Sequence, residues 1–212
     1  MYERFYAYPG QNAANPNLAP ERIRTGELHV ERYLSTSLRT MLSAYRYQIL
    51  DLIDTQIDPA SGLNQFQNAG RVNARGIEAE IEWLAASGAR VRGSWGAQSA
   101  RGRNDAPLDN SPQQMLKLNA MTPLGALGLH AGLEWQYLGS RRTFLDRVPA
   151  YHLANLTLSR PVRREGVEVS LGIYNLLGKK YLDPTLFDPA NPNRDRLEQD
   201  GRSLRLKLLY RF

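Results

Sequence analysis

The segment closing the chain alternates strictly enough to define two faces. Leu204, Leu206, Leu208, Tyr210 and Phe212 occupy every second position, and Ser203, Arg205, Lys207 and Arg211 stand between them, with Leu209 the single exception. Successive side chains on a β-strand point to opposite sides, so one face of this strand is apolar and the other hydrated. A strand of a membrane β-barrel needs that pattern, lipid on the outside and water on the inside. A half-buried edge strand of a soluble sandwich shows the same alternation, so this strand alone leaves both architectures open.

The pattern recurs along the chain. Leu127, Leu129, Ala131, Leu133, Trp135 and Tyr137 alternate with His130, Glu134 and Gln136, and Val167, Val169, Leu171 and Ile173 alternate with Glu168 and Ser170. Ile77, Ala79, Ile81 and Trp83 alternate with Glu78, Glu80 and Glu82, which places three carboxylates on one wall. Period-two segments predict about nine strands, at 22 to 34, 38 to 53, 69 to 84, 89 to 101, 113 to 122, 126 to 141, 149 to 160, 166 to 177 and 199 to 212. The predicted connections alternate in length. Ser35 to Ser37, Ala85 to Gly88, Pro123 to Gly125 and Pro161 to Glu165 are short, whereas 54 to 68, 102 to 112, 142 to 148 and 178 to 198 are long. Short turns on one side and long loops on the other describe an up-and-down outer-membrane barrel with Phe212 on the periplasmic side, not a Greek-key sandwich.

Composition agrees. Hydrophobic residues make up 42% of the 212 and mean hydropathy is −0.48, so no run is long and apolar enough for a transmembrane helix. A barrel escapes that test because only alternate residues face lipid. The chain contains no Cys and only three His, His29, His130 and His152, which are far apart in sequence; no metal or cofactor site is expected. The net charge of +6 is dispersed through strands and loops, with no basic helix face or tail to bind nucleic acid. The first ten residues carry no apolar segment of the signal-peptide kind. Nine strands cannot close an antiparallel bacterial barrel, so the expectation is an all-β, antiparallel up-and-down transmembrane barrel of which these are part. Residues 1 to 21, rich in Pro and Asn, read as the end of an extracellular loop, and 22 to 212 as partial barrel.

The motifs resemble the carboxy-terminal part of a TonB-dependent outer-membrane receptor. Asn15-Pro16-Asn17-Leu18-Ala19-Pro20-Glu21 followed by Glu27-Leu28 is similar to a family loop leading into a strand. Asn68-Ala69-Gly70 with Arg75-Gly76-Ile77-Glu78-Ala79-Glu80 resembles its GxE strand, and Asn110-Ser111-Pro112 precedes a strand as in the family. Tyr174-Asn175-Leu176-Leu177 with Tyr181-Leu182-Asp183-Pro184 resembles the NLF and YxDP segment, and Gln199-Asp200-Gly201-Arg202 opens the last strand. The resemblance implies a 22-stranded barrel around an amino-terminal plug, engagement of TonB through the plug, and uptake of a ferric siderophore, cobalamin or haem. It also implies that Leu208, Tyr210 and Phe212 form the signal read by the barrel assembly machinery. On this reading the chain carries the later strands without plug, TonB box or signal peptide, and is not expected to transport alone.

Candidate sites follow from charge. The long loops carry Arg101, Arg103, Arg141, Arg142, Arg147, Lys179, Lys180, Arg194 and Arg196. Guanidinium forks suit an anionic siderophore complex, which makes Arg141, Arg142, Arg147, Arg194 and Arg196 the ligand-binding candidates. The competing reading is pairing with lipopolysaccharide phosphates, or plain solvation. Glu78, Glu80, Glu82, Arg90 and Arg92 are expected to form cross-strand ion pairs, and to be available to the plug. Trp83, Trp95 and Trp135 read as interfacial girdle residues. Asp183, Asp188, Asp195 and Asp200 crowd one loop without the spacing or glycine of an EF-hand, so they are explained by turns around Pro189 to Asn193. Two other functions remain in view: a small outer-membrane protease or lipid hydrolase using His130 or His152, and a soluble β interaction module. No motif around either histidine supplies a nucleophile, and the expectation is that the chain is not an enzyme.

Overall fold

The structure, a computed structural model, describes residues 2–125, 128–161, 165–185, 191 and 193–212. A short helix, α1 (Tyr2–Phe5), precedes β1 (Asn12–Ala13), β2 (Arg22–Ser35), β3 (Leu38–Ile57), β4 (Asn64–Leu84), β5 (Arg90–Arg101), β6 (Gln114–Leu124) and β7 (Leu129–Leu138). Then come β8 (Arg141–Arg142), β9 (Arg147–Val148), β10 (Tyr151–Arg160), β11 (Gly166–Tyr174), β12 (Leu182–Pro184), β13 (Arg196–Glu198) and β14 (Ser203–Arg211). The nine long strands join in the order β14-β11-β10-β7-β6-β5-β4-β3-β2, with β1 beside β4, and β8-β9 and β12-β13 form separate two-stranded ribbons. Each long strand therefore hydrogen-bonds to its sequence neighbour among the long strands. This is the up-and-down meander expected from the alternating connections.

Contacts divide the chain into two units. The first comprises Met1–Glu27, Tyr45–Arg75 and Ser99–Leu108, and the second Leu28–Ala44, Gly76–Gln98 and Asp109–Phe212. Within the second, the register carries one apolar face from strand to strand. Val91 pairs with Ala120, Ala120 with Leu133, Leu133 with Leu156, Leu156 with Ile173, and Ile173 with Leu204. The adjacent row runs Thr122, Ala131, Leu158, Leu171 and Leu206. Paired residues share a face, so these rows make a continuous apolar surface, and Leu204, Leu206 and Leu208 are each at least 64% exposed on it. Trp95, Leu116 and Tyr137 form a row of that same face nearer the loops. The opposite face is polar: Arg92, Asn119, Glu134 and Asn155 pair in sequence across four strands. Such a sheet puts its apolar side outward because the solvent it faces is lipid.

In the first unit, Leu18, Val72 and Ala74 are buried. Asn68 ties the amino-terminal segment to β3, accepting from the Ala19 amide at 2.8 Å and donating to the carbonyls of Ala19 and Asp51 at 2.8 Å each. Asn15 donates to the Phe66 carbonyl at 2.8 Å. The residues read as the end of a loop therefore carry a helical turn and a two-residue strand paired in parallel with Asn64 and Gln65 of β4.

Several boundaries differ from the predicted ones. The long loop expected at 54 to 68 shrinks to a six-residue turn, because β3 continues to Ile57 and β4 starts at Asn64. Asp58 organises that turn: its carboxylate accepts from the Ser61 hydroxyl at 2.7 Å and amide at 3.1 Å, and its carbonyl from the Gly62 amide at 2.8 Å. The strand expected to reach residue 177 stops at Tyr174, because Asn175 adopts a left-handed backbone (φ 50°). That asparagine is buried, accepts from the Lys179 amide at 2.8 Å and donates to the Lys179 carbonyl at 2.8 Å. Likewise 199 to 202 precede the last strand, β10 begins at Tyr151, and β7 ends at Leu138 instead of 141. Leu127, Asp188, Pro189 and most of the Pro161 to Glu165 turn lie outside the described residues.

Two neighbouring residues of β10 test the assignment of faces. Leu156→Arg is expected to destabilise the protein in lipid vesicles by about 2–4 kcal/mol, the cost of a cation facing the bilayer midplane. Thr157→Arg, on the hydrated face, should cost well under half of that in the same denaturant titration.

Candidate functional site

The loop-side ends of β6, β7 and β10 carry a cluster built around Arg141. At the end of β7 the backbone of Gly139 lies against Gln114, where an added Cβ would meet the Gln114 carbonyl oxygen at 3.0 Å. The chain then enters the β8-β9 ribbon, which places Arg141 inside it. Its guanidinium is 7% exposed, donates to Asn110 Oδ1 at 3.0 Å and the Leu182 carbonyl at 3.2 Å, and pairs with the Asp183 carboxylate. Tyr151 lies under the guanidinium, 5.6 Å to its ring centroid, and stacks obliquely on Tyr181 at 4.5 Å. One buried cation thus joins three connections, those around residues 110, 141 and 183.

A second junction lies beside it. The buried Thr143 hydroxyl donates to the Asp195 carboxylate and accepts from the Asp146 amide at 2.7 Å. Arg196 Nε donates to Asp195 at 2.8 Å, and its Nη2 reaches Asp146 at 3.1 Å. These donors, Arg196 first, hold the Asp195 carboxyl below the ordinary carboxylate range. Burial pushes the Tyr181 phenol upward, and the nearby charges of Asp183 and Asp200 act in the same direction. Two of the four loop aspartates read from the sequence, Asp183 and Asp195, are therefore committed to arginines.

The candidate cations separate by environment. Arg141 and Arg196 are tied to carboxylates inside the cluster. Arg142 is 40% exposed and lies 3.6 Å from Asp109, and Arg147 is exposed with a 3.3 Å contact to the Ser140 hydroxyl. Arg194, Lys179 and Lys180 are exposed. The sequence ranks all five candidate arginines alike, because the partners that distinguish them are up to 50 residues away in the chain.

The polar face of β3, β4 and β5 carries the cross-strand ion pairs expected there. Arg92 meets Glu80 at 2.6 Å and Arg90 meets Glu82 at 3.3 Å. Arg39, not singled out in the sequence, sits between both carboxylates, at 3.2 Å from Glu80 and 3.0 Å from Glu82, and reaches Glu31 at 3.4 Å. Its odd position on β3, in register with Met41 and Ser43, was the available signal. Alongside, a groove of ≈ 600 Å³ is lined by Glu82, Arg90, Arg92, Asn119, His130 and Glu134, among others. Glu78 is exposed on the same wall.

His130 pairs with Ser159 on the polar face, whereas His152 pairs with Tyr137 on the apolar one. The two histidines project from opposite sides of the sheet and do not converge on one reaction centre. His29 contacts the Ser43 hydroxyl at 2.9 Å.

An antiparallel meander with an apolar outer face, a charged inner face and knotted loops on one side defines an outer-membrane β-barrel wall. Residues 1–176 match the family model described as TonB dependent receptor-like, beta-barrel, and the chain belongs to that family. No curated protein matches it in sequence. Among solved structures it is similar to the ferric-catecholate import receptor Fiu from K12 E. coli, with 17% identity and a TM-score of 0.69 over 95% of this chain and 29% of that one. The pyoverdine outer membrane receptor FpvA from Pseudomonas aeruginosa PAO1 gives 16% identity and a TM-score of 0.72 over 92% of this chain and 30% of that one. The copper transporter OprC gives 17% and 0.72 over 97% and 35%. The chain therefore spans about a third of the length of these proteins, and identities this low bear on the fold alone. Family members are receptors and transporters of the Gram-negative outer membrane, not enzymes, and that places the chain in the same membrane.

The Arg141 cluster generates a test. Arg141→Ala leaves Asp183 half-buried without its cation, and hydrogen bonds to charged groups are worth about 1.5–3 kcal/mol each. Protease cleavage between residues 179 and 200 should rise at least about tenfold as the cluster opens. Asp195 adds a sign. Its lowered pKa means that its contribution is complete above the ordinary carboxylate range and disappears as pH falls through the folded-state value. Cleavage of the wild type should therefore increase in acid with a non-pepsin acid protease, and Asp195→Asn should raise cleavage at neutral pH and flatten that dependence.

Proposed function

We propose that this chain is the carboxy-terminal barrel portion of a receptor for active uptake of a scarce nutrient, a ferric siderophore, cobalamin or haem, and that it does not transport alone. The single observation carrying this reading is the family match over residues 1–176. In support, the inner wall carries an ion-pair ladder open to a plug, and the loop side carries a partly exposed Arg142 and fully exposed Arg147 and Arg194 suited to an anionic chelate. Arg141 and Arg196 serve that rim indirectly, by fixing the loops that present it.

The domain reading belongs with this proposal: residues 1 to 21 end an extracellular loop, and 22 to 212 form partial barrel. So do the partners. TonB acts through a plug, lipopolysaccharide borders the rim, and the barrel assembly machinery reads Leu208 and Tyr210 on the apolar face of β14 with Phe212 just beyond its end. Names of structural relatives do not select the nutrient, since they include a copper transporter as well as iron receptors.

The test is uptake by the native strain. Deleting the gene should abolish accumulation of one labelled ferric siderophore, cobalamin or haem under limitation, and the intact gene should restore it. Complementing with an Arg142→Ala, Arg147→Ala, Arg194→Ala variant should weaken apparent affinity for an anionic chelate about tenfold, roughly 1.4 kcal/mol. Normal uptake of all three nutrient classes in the deletion strain would refute the proposal.

A further inference from the structure

Adjacent basic residues occur at two places among the described residues, and folding treats them oppositely. Arg141-Arg142 forms β8, paired with Val148 and Arg147 of β9, and the Arg141 guanidinium is buried against Asp183. Lys179-Lys180 belongs to no strand, and both residues are exposed. Neither lysine side chain has a hydrogen-bond or ion-pair partner among the described residues. What holds this second pair in place is backbone. The Asn175 side-chain oxygen accepts from the Lys179 amide and the Asn175 side-chain amide donates to the Lys179 carbonyl, both at 2.8 Å. The same side-chain amide donates to the Asp200 carbonyl at 3.3 Å, and the Gly178 amide donates to the Asn175 carbonyl at 2.8 Å. On the carboxyl side of the pair the chain enters β12 at Leu182.

Exposed connections are the preferred places for proteolytic nicking. An endopeptidase takes its substrate as an added strand, through the backbone N–H and C=O groups, and at Lys179 both of these are held by Asn175. The side chains suit an enzyme for paired basic residues, and the backbone is withheld from it. We infer that the Lys179-Lys180 peptide bond is a gated processing site, cut by a cell-surface endopeptidase that recognises paired basic residues through acidic pockets, with Asn175 as the gate. Water is the co-reactant. As the C–N bond breaks, the Lys179 carbonyl carbon takes the hydroxyl and the Lys180 nitrogen the proton. Nine residue pairs between β11 and β14 span the cut, so the product is a nicked wall and not a released strand. What the cut frees is the amino-terminal end of the loop that carries Asp183 and Arg194. The inference rests on the proposed reading that the long loops face the outside of the cell.

Intact cells and the purified full-length protein are each treated with an outer-membrane endopeptidase that cleaves between adjacent basic residues. The fragment beginning at Lys180 is identified by amino-terminal sequencing and quantified on gels of heated samples. Asn175→Asp tolerates the left-handed backbone and keeps an acceptor for the Lys179 amide, but loses the donor to the Lys179 carbonyl. It is expected to speed this cut at least about fivefold, as one hydrogen bond leaves the clamp. Lys180→Gln, exposed and outside the clamp, should abolish the fragment and leave heat-modifiable mobility unchanged. Unheated wild type should still run as one band after cutting, since β11 and β14 remain paired. Equal rates for wild type and Asn175→Asp would overturn the gate, and absence of the fragment from both purified proteins would overturn the site. Cutting of the purified protein with none in intact cells would overturn the outward reading of the loops, and the surface enzyme with it, while the rate difference between the two purified proteins would still support the clamp.

Discussion

Backbone hydrogen bonding without water is the constraint on which this structure depends. In hydrocarbon an unpaired amide or carbonyl costs several kcal/mol, so every strand must find a neighbour on each side over its membrane-crossing length. The meander meets that demand for the seven inner long strands, each paired on both sides, and leaves β2 and β14 paired on one side only among the described residues. Pairing in turn dictates which side chains share a face. A slip of one residue between β7 and β10 would send Leu156 and Leu158 inward and Thr157 and Ser159 into lipid, so the ladder and the apolar rows enforce one another.

That coupling explains why so much of the wall was legible in the sequence. Leu133, Ile173 and Leu204 lie in different segments, yet the alternation within each segment already assigned each to its strand's apolar face, and the register, through Leu156, aligned them. The ion pairs of Glu80 and Glu82 with Arg92 and Arg90 were legible for the same reason, since the short connection between β4 and β5 sets those residues side by side. Arg39 was missed because it comes from the strand on the far side of β4, where the register depends on a different turn.

The loop cluster was less legible. Arg141 meets Asp183 across 42 residues and Thr143 meets Asp195 across 52, and no periodicity relates such positions. What the sequence showed there was composition: arginines and aspartates in long connections. Folding sorts them into pairs that build the rim and cations that remain exposed upon it. The β3-β4 connection differs in the other direction. The strands were expected to end at 53 and resume at 69, but they run to Ile57 and from Asn64, because paired strands go on hydrogen-bonding to each other in water as well.

The lengths of β3 and β4, 20 and 21 residues, have a consequence for how the cell surface is met from outside. Nine to eleven residues suffice to cross a bilayer, so each strand carries about ten residues more than a crossing needs, and the two are closed on each other by a tight turn. A phage tail, antibody or bacteriocin approaching there would encounter a stiff, pre-ordered epitope instead of a floppy one. Little conformational entropy would be lost on docking, so such a landmark favours tight recognition by predators and immune effectors alike.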